Sequence, residues 1–198
     1  MENYFEASLF DELEPLYPDT DPKKGKNLHM IAAASNTYAG VHIMLSGLTP
    51  GKFVTFEVIS PTRKTVLTKD DGTIMESYSE DQRYKLFELL PLPVEVNTGA
   101  VSRTEWMDGM INESVIRRAP FTVYDVLRPC INVITAQGAV MALAFRCKVD
   151  ANERELKKWE FIITHDGVSK RLTFEVEIFP VQVLEAGAED HKYVNWIS

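Results

Sequence analysis

The chain has 198 residues, 45% apolar and 25% charged, with 10 glycines and 10 prolines, a profile that suits a globular domain with its own core. Twenty-one basic residues stand against twenty-nine acidic ones, and the formal charge of -8, with no gathering of basic residues along the sequence, argues against a nucleic-acid partner. Two cysteines exclude a disulfide framework, and no apolar run reaches the roughly 18 residues that cross a bilayer. The start, MENYFEASLFDELE, is acidic where a signal peptide is basic and then apolar, so the expectation is a cytoplasmic protein with no membrane partner.

Residues 3–14 place Phe5, Leu9 and Leu13 four apart, which predicts a short amphipathic N-terminal helix stopped by Pro15. The segment YPDTDPKKGKN, residues 17–27, holds two prolines and a glycine among polar groups and reads as an extended linker. From Leu28 the period becomes that of strands, first in LHMIAAA and then in residues 38–48, where Val41, Ile43 and Leu45 alternate with His42, Met44 and Ser46. Thr49-Pro50-Gly51 turns the chain, and Val54, Phe56 and Val58 alternate after it, so the two runs read as a hairpin.

Residues 62–84 are mostly polar and read as an exposed excursion between sheets. Pro91 and Pro93 interrupt the next apolar run or confine it to a sheet edge, and residues 97–139 form a long irregular insertion. Met141, Leu143, Phe145, Cys147 and Val149 occupy one face of a strand, opposite Ala142, Ala144, Arg146 and Lys148. Trp159, Phe161 and Ile163 alternate in the following strand, Asp166-Gly167 makes a tight turn, and Leu172, Phe174, Val176 and Ile178 alternate in the returning one. The pattern predicts an all-β chain, a two-sheet antiparallel β-sandwich with a short N-terminal helix. The expected division is a helix and linker in residues 1–27, a sandwich in 28–190 and a junction in 191–198.

Little in this sequence carries catalytic chemistry. No serine lies in a G-x-S-x-G elbow, Cys147 falls on an inward strand face, and Cys130 follows Pro129 as a packed thiol. His29, His42, His165 and His191 fall on separate elements without metal-ligand spacing, and Asp19-Thr20-Asp21 lacks the glycine and glutamate of a calcium loop. Glu153, Glu155 and Glu160 stand among lysines as a mixed-charge rim. No catalytic residue, metal or cofactor is therefore assigned. Sugars bind by stacking on exposed aromatic rings, and Trp106, in SRTEWMDGMINES, with Tyr38 and Tyr78, are the candidate platforms; Trp159 shares its face with core residues.

Several segments taken in order resemble the N-terminal β-sandwich of glycoside hydrolase family 123 and of related bacterial proteins. They are IAAASNTYAGVHIMLSGL with GKFVTFEVI, the stretch APFTVYDVLRPC with its Tyr124-Asp125-Val126-Leu127-Arg128-Pro129, the block from Met141 to Val183, and the ending HKYVNWIS, in which Ile197 stands where an aromatic is usual. The resemblance implies an accessory domain followed by a TIM barrel that cleaves β-linked N-acetylgalactosamine by substrate assistance from an Asp-Glu pair, none of which lies in the sandwich. It also implies that Tyr193 and Trp196 are interdomain contacts, with the downstream catalytic domain of the same polypeptide as partner. An independent carbohydrate-binding module is the competing expectation.

Overall fold

A computed structural model describes residues 5–68, 74–97, 115–150 and 153–183. Two five-stranded sheets face each other across one apolar core, and a two-stranded hairpin stands apart from them. The first strand, β1 (Glu6–Asp11), occupies the place of the expected N-terminal helix. Its residues are buried on both sides: Ala7 and Leu9 join Phe5 in the core between the sheets, while Phe10 joins a second cluster on the outer side. Burial on both faces hides the period of two that marks a strand, and the spacing of four has no meaning here, since Leu13 is 91% exposed.

The expected linker is a strap. It leaves β1, reaches the far edge of its own sheet, where Leu16 bridges Tyr124, and returns to a bridge between Lys26 and Leu9. A single 3-10 turn, Pro22–Lys24, capped by the Asp21 carboxylate on the Lys23 amide, reverses its direction. Tyr17 packs edge-on against Phe121, and Arg117 lies 4.4 Å over the Tyr17 ring while its guanidinium grips both oxygens of Asp19.

The next strands are β2 (Leu28–Ser35), β3 (Thr37–Ser46) and β4 (Phe53–Ile59). Contrary to the expected hairpin, β3 and β4 lie in different sheets. Alternation tells which face of a strand is buried and is silent about which sheet holds it; Thr49-Pro50-Gly51 is a corner between the sheets, with Gly51 at φ +83°. The polar residues read as an exposed excursion form a hairpin of β5 (Thr62–Thr68) and β6 (Ile74–Glu80), apart from both sheets. Then follow β7 (Tyr84–Val94), β8 (Phe121–Pro129), β9 (Val133–Thr135), β10 (Val140–Val149), β11 (Lys157–His165) and β12 (Val168–Gln182).

One sheet runs β1-β3-β10-β7-β8 and the other β2-β12-β11-β4-β9. All pairs are antiparallel except β2 with β12, which is parallel, so the second sheet is mixed where a wholly antiparallel sandwich was expected. Pro91 and Pro93 are tolerated because β10 pairs only with Tyr84 to Leu89 of β7; beyond a register shift at Leu90, the prolines face a partner on the β8 side alone. Strands β8 and β9 fall inside the stretch expected to be irregular. As an edge strand, β8 buries only Tyr124 and so carries no alternation to read.

The strand faces read from residues 141–178 stand as expected. Phe145 sits at the centre of the core, with ring centroids 5.1 Å from Trp159, 4.8 Å from Phe161 and 6.1 Å from Phe174. Each such buried large side chain contributes roughly 1.5–3 kcal/mol through water exclusion. The β11–β12 turn has Asp166 at φ +50° and Gly167 at φ +76°, the left-handed pair a two-residue hairpin requires.

At one end the two sheets are fastened by ions. Arg83 donates to both oxygens of Asp81 (2.9 and 2.8 Å), to Glu153 (2.6 Å) and to Asp150, while the Lys157 ammonium lies 2.6 Å from Asp81 and 2.9 Å from Glu153. The Asp81 and Lys157 side chains are 2% and 8% exposed. Burial by itself raises the Asp81 carboxyl, yet the hydrogen bonds from Arg83 and Lys157 outweigh it and hold the group at about 2.

Candidate functional site

Even-numbered residues of β3 and β10 and odd-numbered residues of β7 point to the outer face of the first sheet, and the ladders set them in rows. His42, Ala144 and Phe87 form one row, Gly40, Arg146 and Lys85 the next, and Tyr38 stands opposite Lys148 in the third. The strap covers the other half of this face, over Met44, Leu89 and Ala142. Over the three rows the described residues leave a groove of about 740 Å³, within the size range of small-ligand sites.

Long side chains line this groove: Glu12, Tyr38, Lys85, Phe87, Arg146 and Lys148. Gly40 leaves room for the Glu12 carboxylate, which lies over β3 to pair with Arg146; a Cβ there would push that carboxylate aside. Lys85 and Lys148 have no ion-pair partner among the described residues, whereas Arg83 at the groove's end is committed to its three carboxylates. His42 adds no cation at neutral pH: burial pushes its imidazole below the usual range, against the pull of Glu12. Three cations, Lys85, Arg146 and Lys148, thus face one carboxylate in a groove on a chain that is acidic overall. Tyr38, 65% exposed, and Leu13 stand between this groove and a second hollow of about 530 Å³ along the β2–β3 edge.

A third hollow, about 440 Å³, opens at the opposite edge beside Glu88, Arg128 and Cys130. Glu88 is buried and bonded to Arg128, and burial with the nearby Glu88 charge raises the Cys130 thiol to about 11, which leaves no activated nucleophile. Cys147, fully buried, is pushed up to about 12. His165 accepts the Thr49 amide at Nε2 (2.8 Å) and donates from Nδ1 to the Phe53 carbonyl (3.0 Å), which makes it a brace for the β3–β4 corner. Among the described residues no three His, Cys, Asp or Glu side chains gather in a way that could hold a metal ion.

Of the residues singled out as sugar platforms, Tyr38 lies at the groove. The backbone of Tyr78 pairs with Lys64 in the separate hairpin, and its side chain lies outside the described residues. Trp106, Tyr193 and Trp196 lie outside the described residues as well. The groove's cations escaped the sequence reading because Lys85 is 61 positions from Arg146 and only strand register joins them. The signal available was the break on the outer face of β10, where Ala142 and Ala144 give way to Arg146 and Lys148.

These features define a two-sheet β-sandwich with an open, cation-lined groove on one outer face. No family model matches the sequence, and no curated protein matches it. Among solved structures, the chain is similar to a family 123 glycoside hydrolase from Clostridium perfringens, studied for glycolipid glycan hydrolysis. The superposition covers 90% of this chain and 28% of that enzyme, with a TM-score of 0.56 and 12% identity, a distant likeness of fold. The chain therefore spans little more than a quarter of that protein's length. Looser superpositions include PapD-like domain 7 of human CEP192, at 5% identity over 89% of this chain and 87% of that one, with a TM-score of 0.36.

Proposed function

We propose that this chain is a non-catalytic N-terminal accessory β-sandwich of a glycoside hydrolase-like protein, packing against a downstream catalytic barrel. The observation that carries the reading is the superposition of nearly the whole chain on a minor part of a much longer glycoside hydrolase. A second feature supports it: at the β8–β9 edge Phe53, Val126, Leu127, Ile131 and Val133 are 40–75% exposed, an apolar border of the kind that another domain covers. The active site of a barrel lies at the C-terminal ends of its own strands, so the sandwich supplies packing and not the acid-base pair.

The test is the coding sequence after Ser198. A barrel-length continuation with paired acidic residues at a strand end is expected, and a stop codon there overturns the reading. An aryl β-N-acetylgalactosaminide incubated with this chain should stay intact; turnover would show that the sandwich is itself catalytic.

The second reading is an independent carbohydrate-binding module, favoured by the exposed Tyr38 ring beside the 740 Å³ groove. Saturable binding of an oligosaccharide, weakened in Tyr38→Ala, is its expected signature.

A further inference from the structure

We infer that the outer-face groove is a binding site for acidic saccharides, sugars that carry a carboxylate or a sulfate on the pyranose ring. The inference rests on the binding-module reading and names the ligand class that the groove selects. Three observations carry it.

The first is charge. Lys85, opposite Arg146, and Lys148, two residues along its strand, lack ion-pair partners among the described residues, while Arg146 pairs with Glu12. Among the described residues Glu12 is the single carboxylate on the groove wall, so the cations outnumber the anion that faces them and favour an incoming negative charge. On a chain of net charge -8, this local excess of positive charge is a departure from the rest of the molecule.

The second is the arrangement of rings. Tyr38, exposed on β3, and Phe87, half-buried on β7 against the apolar cluster under the strap, both line the groove; they lie two strands apart and four residues out of register, a diagonal of about 16 Å from strand spacing and rise. A short oligosaccharide laid along that diagonal starts on the Tyr38 ring, passes Arg146 with Lys148 and Lys85 at its flanks, and ends beside Phe87. A free inorganic anion needs only the cations, and a purely apolar ligand leaves them unpaired.

The third is Glu12. Its carboxylate pairs with the guanidinium of Arg146 and lies over Gly40, an internal stand-in for a ligand anion. An incoming carboxylate or sulfate competes with it for Arg146 and reaches Lys85, directly opposite Arg146, and Lys148, two residues along the same strand. Removing the Glu12 charge should therefore strengthen acid binding, an outcome that a groove built for neutral sugars does not produce.

Titration calorimetry on the chain at low salt tests this with three oligosaccharides and one control ion: an oligogalacturonate, a sulfated galacto-oligosaccharide, the neutral galacto-oligosaccharide of equal length, and inorganic sulfate. Binding of at least one acidic oligosaccharide is expected, weakened by about tenfold or more in the Lys85→Ala/Lys148→Ala double variant and by added salt, and strengthened severalfold in Glu12→Gln. Which of the two acids binds identifies carboxylate or sulfate as the recognised group. Equal affinity for the neutral oligosaccharide overturns the inference and leaves the binding module standing. Absence of binding to all three oligosaccharides overturns both, and sulfate binding as tightly as the sulfated sugar overturns the saccharide part. Lys85 is exposed and Lys148 half-exposed, so unchanged circular dichroism and melting temperature in the double variant separate lost recognition from lost folding.

Discussion

Replacing Asp81 by asparagine keeps the shape of the side chain and deletes the charge on which Arg83 and Lys157 converge. Lys157, 8% exposed, is left buried with Glu153 as its remaining carboxylate. Breaking a buried ion pair from one side costs about 3–5 kcal/mol. The depression of the Asp81 carboxyl from 3.8 to about 2 corresponds to roughly 2 kcal/mol of that by linkage. A loss of about 3 kcal/mol at neutral pH is expected, and in a chain of this length it lowers the melting temperature by about 6–12 °C. A carboxyl held below its unfolded value stabilises fully above about pH 4 and loses that contribution as pH falls towards about 2, with nearly half of it gone by about pH 3. Urea denaturation of wild type and Asp81→Asn, followed by circular dichroism, should therefore show a gap that narrows between about pH 5 and pH 3. A gap below about 1 kcal/mol at neutral pH, or one that stays constant across that range, refutes the reasoning, since either places the ions in an environment as forgiving as the surface.

Trp159→Phe should cost only about 1–2 kcal/mol, well short of the 3–5 expected for Trp159→Ala, because the buried indole Nε1 has no hydrogen-bond partner among the described residues and its removal offsets part of the lost packing; chemical denaturation of both variants checks the ratio. In the native protein Cys147, with its thiol at about 12, should resist Ellman's reagent until the chain unfolds, and Cys130, at about 11 and half-buried, should react more slowly than a free thiol. Gly167→Ala should destabilise by about 1–2 kcal/mol through the strained left-handed backbone alone, since the space around a Cβ there is open; a neutral result in thermal melts contradicts that account.

Strands β10, β11 and β12 were legible in the sequence because each buries one face against the core and alternates accordingly. Where a strand is buried on both sides, as β1 is, or bare at an edge, as β8 is, the period vanishes and composition misleads: the first looked like a helix and the second like a loop. The turn at Asp166-Gly167 announced its hairpin, because both positions need left-handed backbone; the turn at Thr49-Pro50-Gly51 announced only a change of direction. The exposed Tyr38 was a visible candidate for the site. Its cationic neighbours became neighbours through pairings between β3, β10 and β7 that no local pattern encodes.

The parallel alignment of β2 with β12 bears on how the protein reaches its native state. The first strand of the second sheet finds its partner in residues 173–182, about three quarters of the chain's length away. A nascent chain emerging from the ribosome can form the corner at residues 49–51 early, but β2 has no ladder until β12 is made, and its apolar face waits uncovered through most of synthesis. Topologies dominated by such distant pairings close slowly, since loop entropy must be overcome before the contacts return anything. Folding of this sandwich is thus expected to be largely post-translational, and a chain cut before β12 should be prey to proteases and aggregation rather than a smaller working domain.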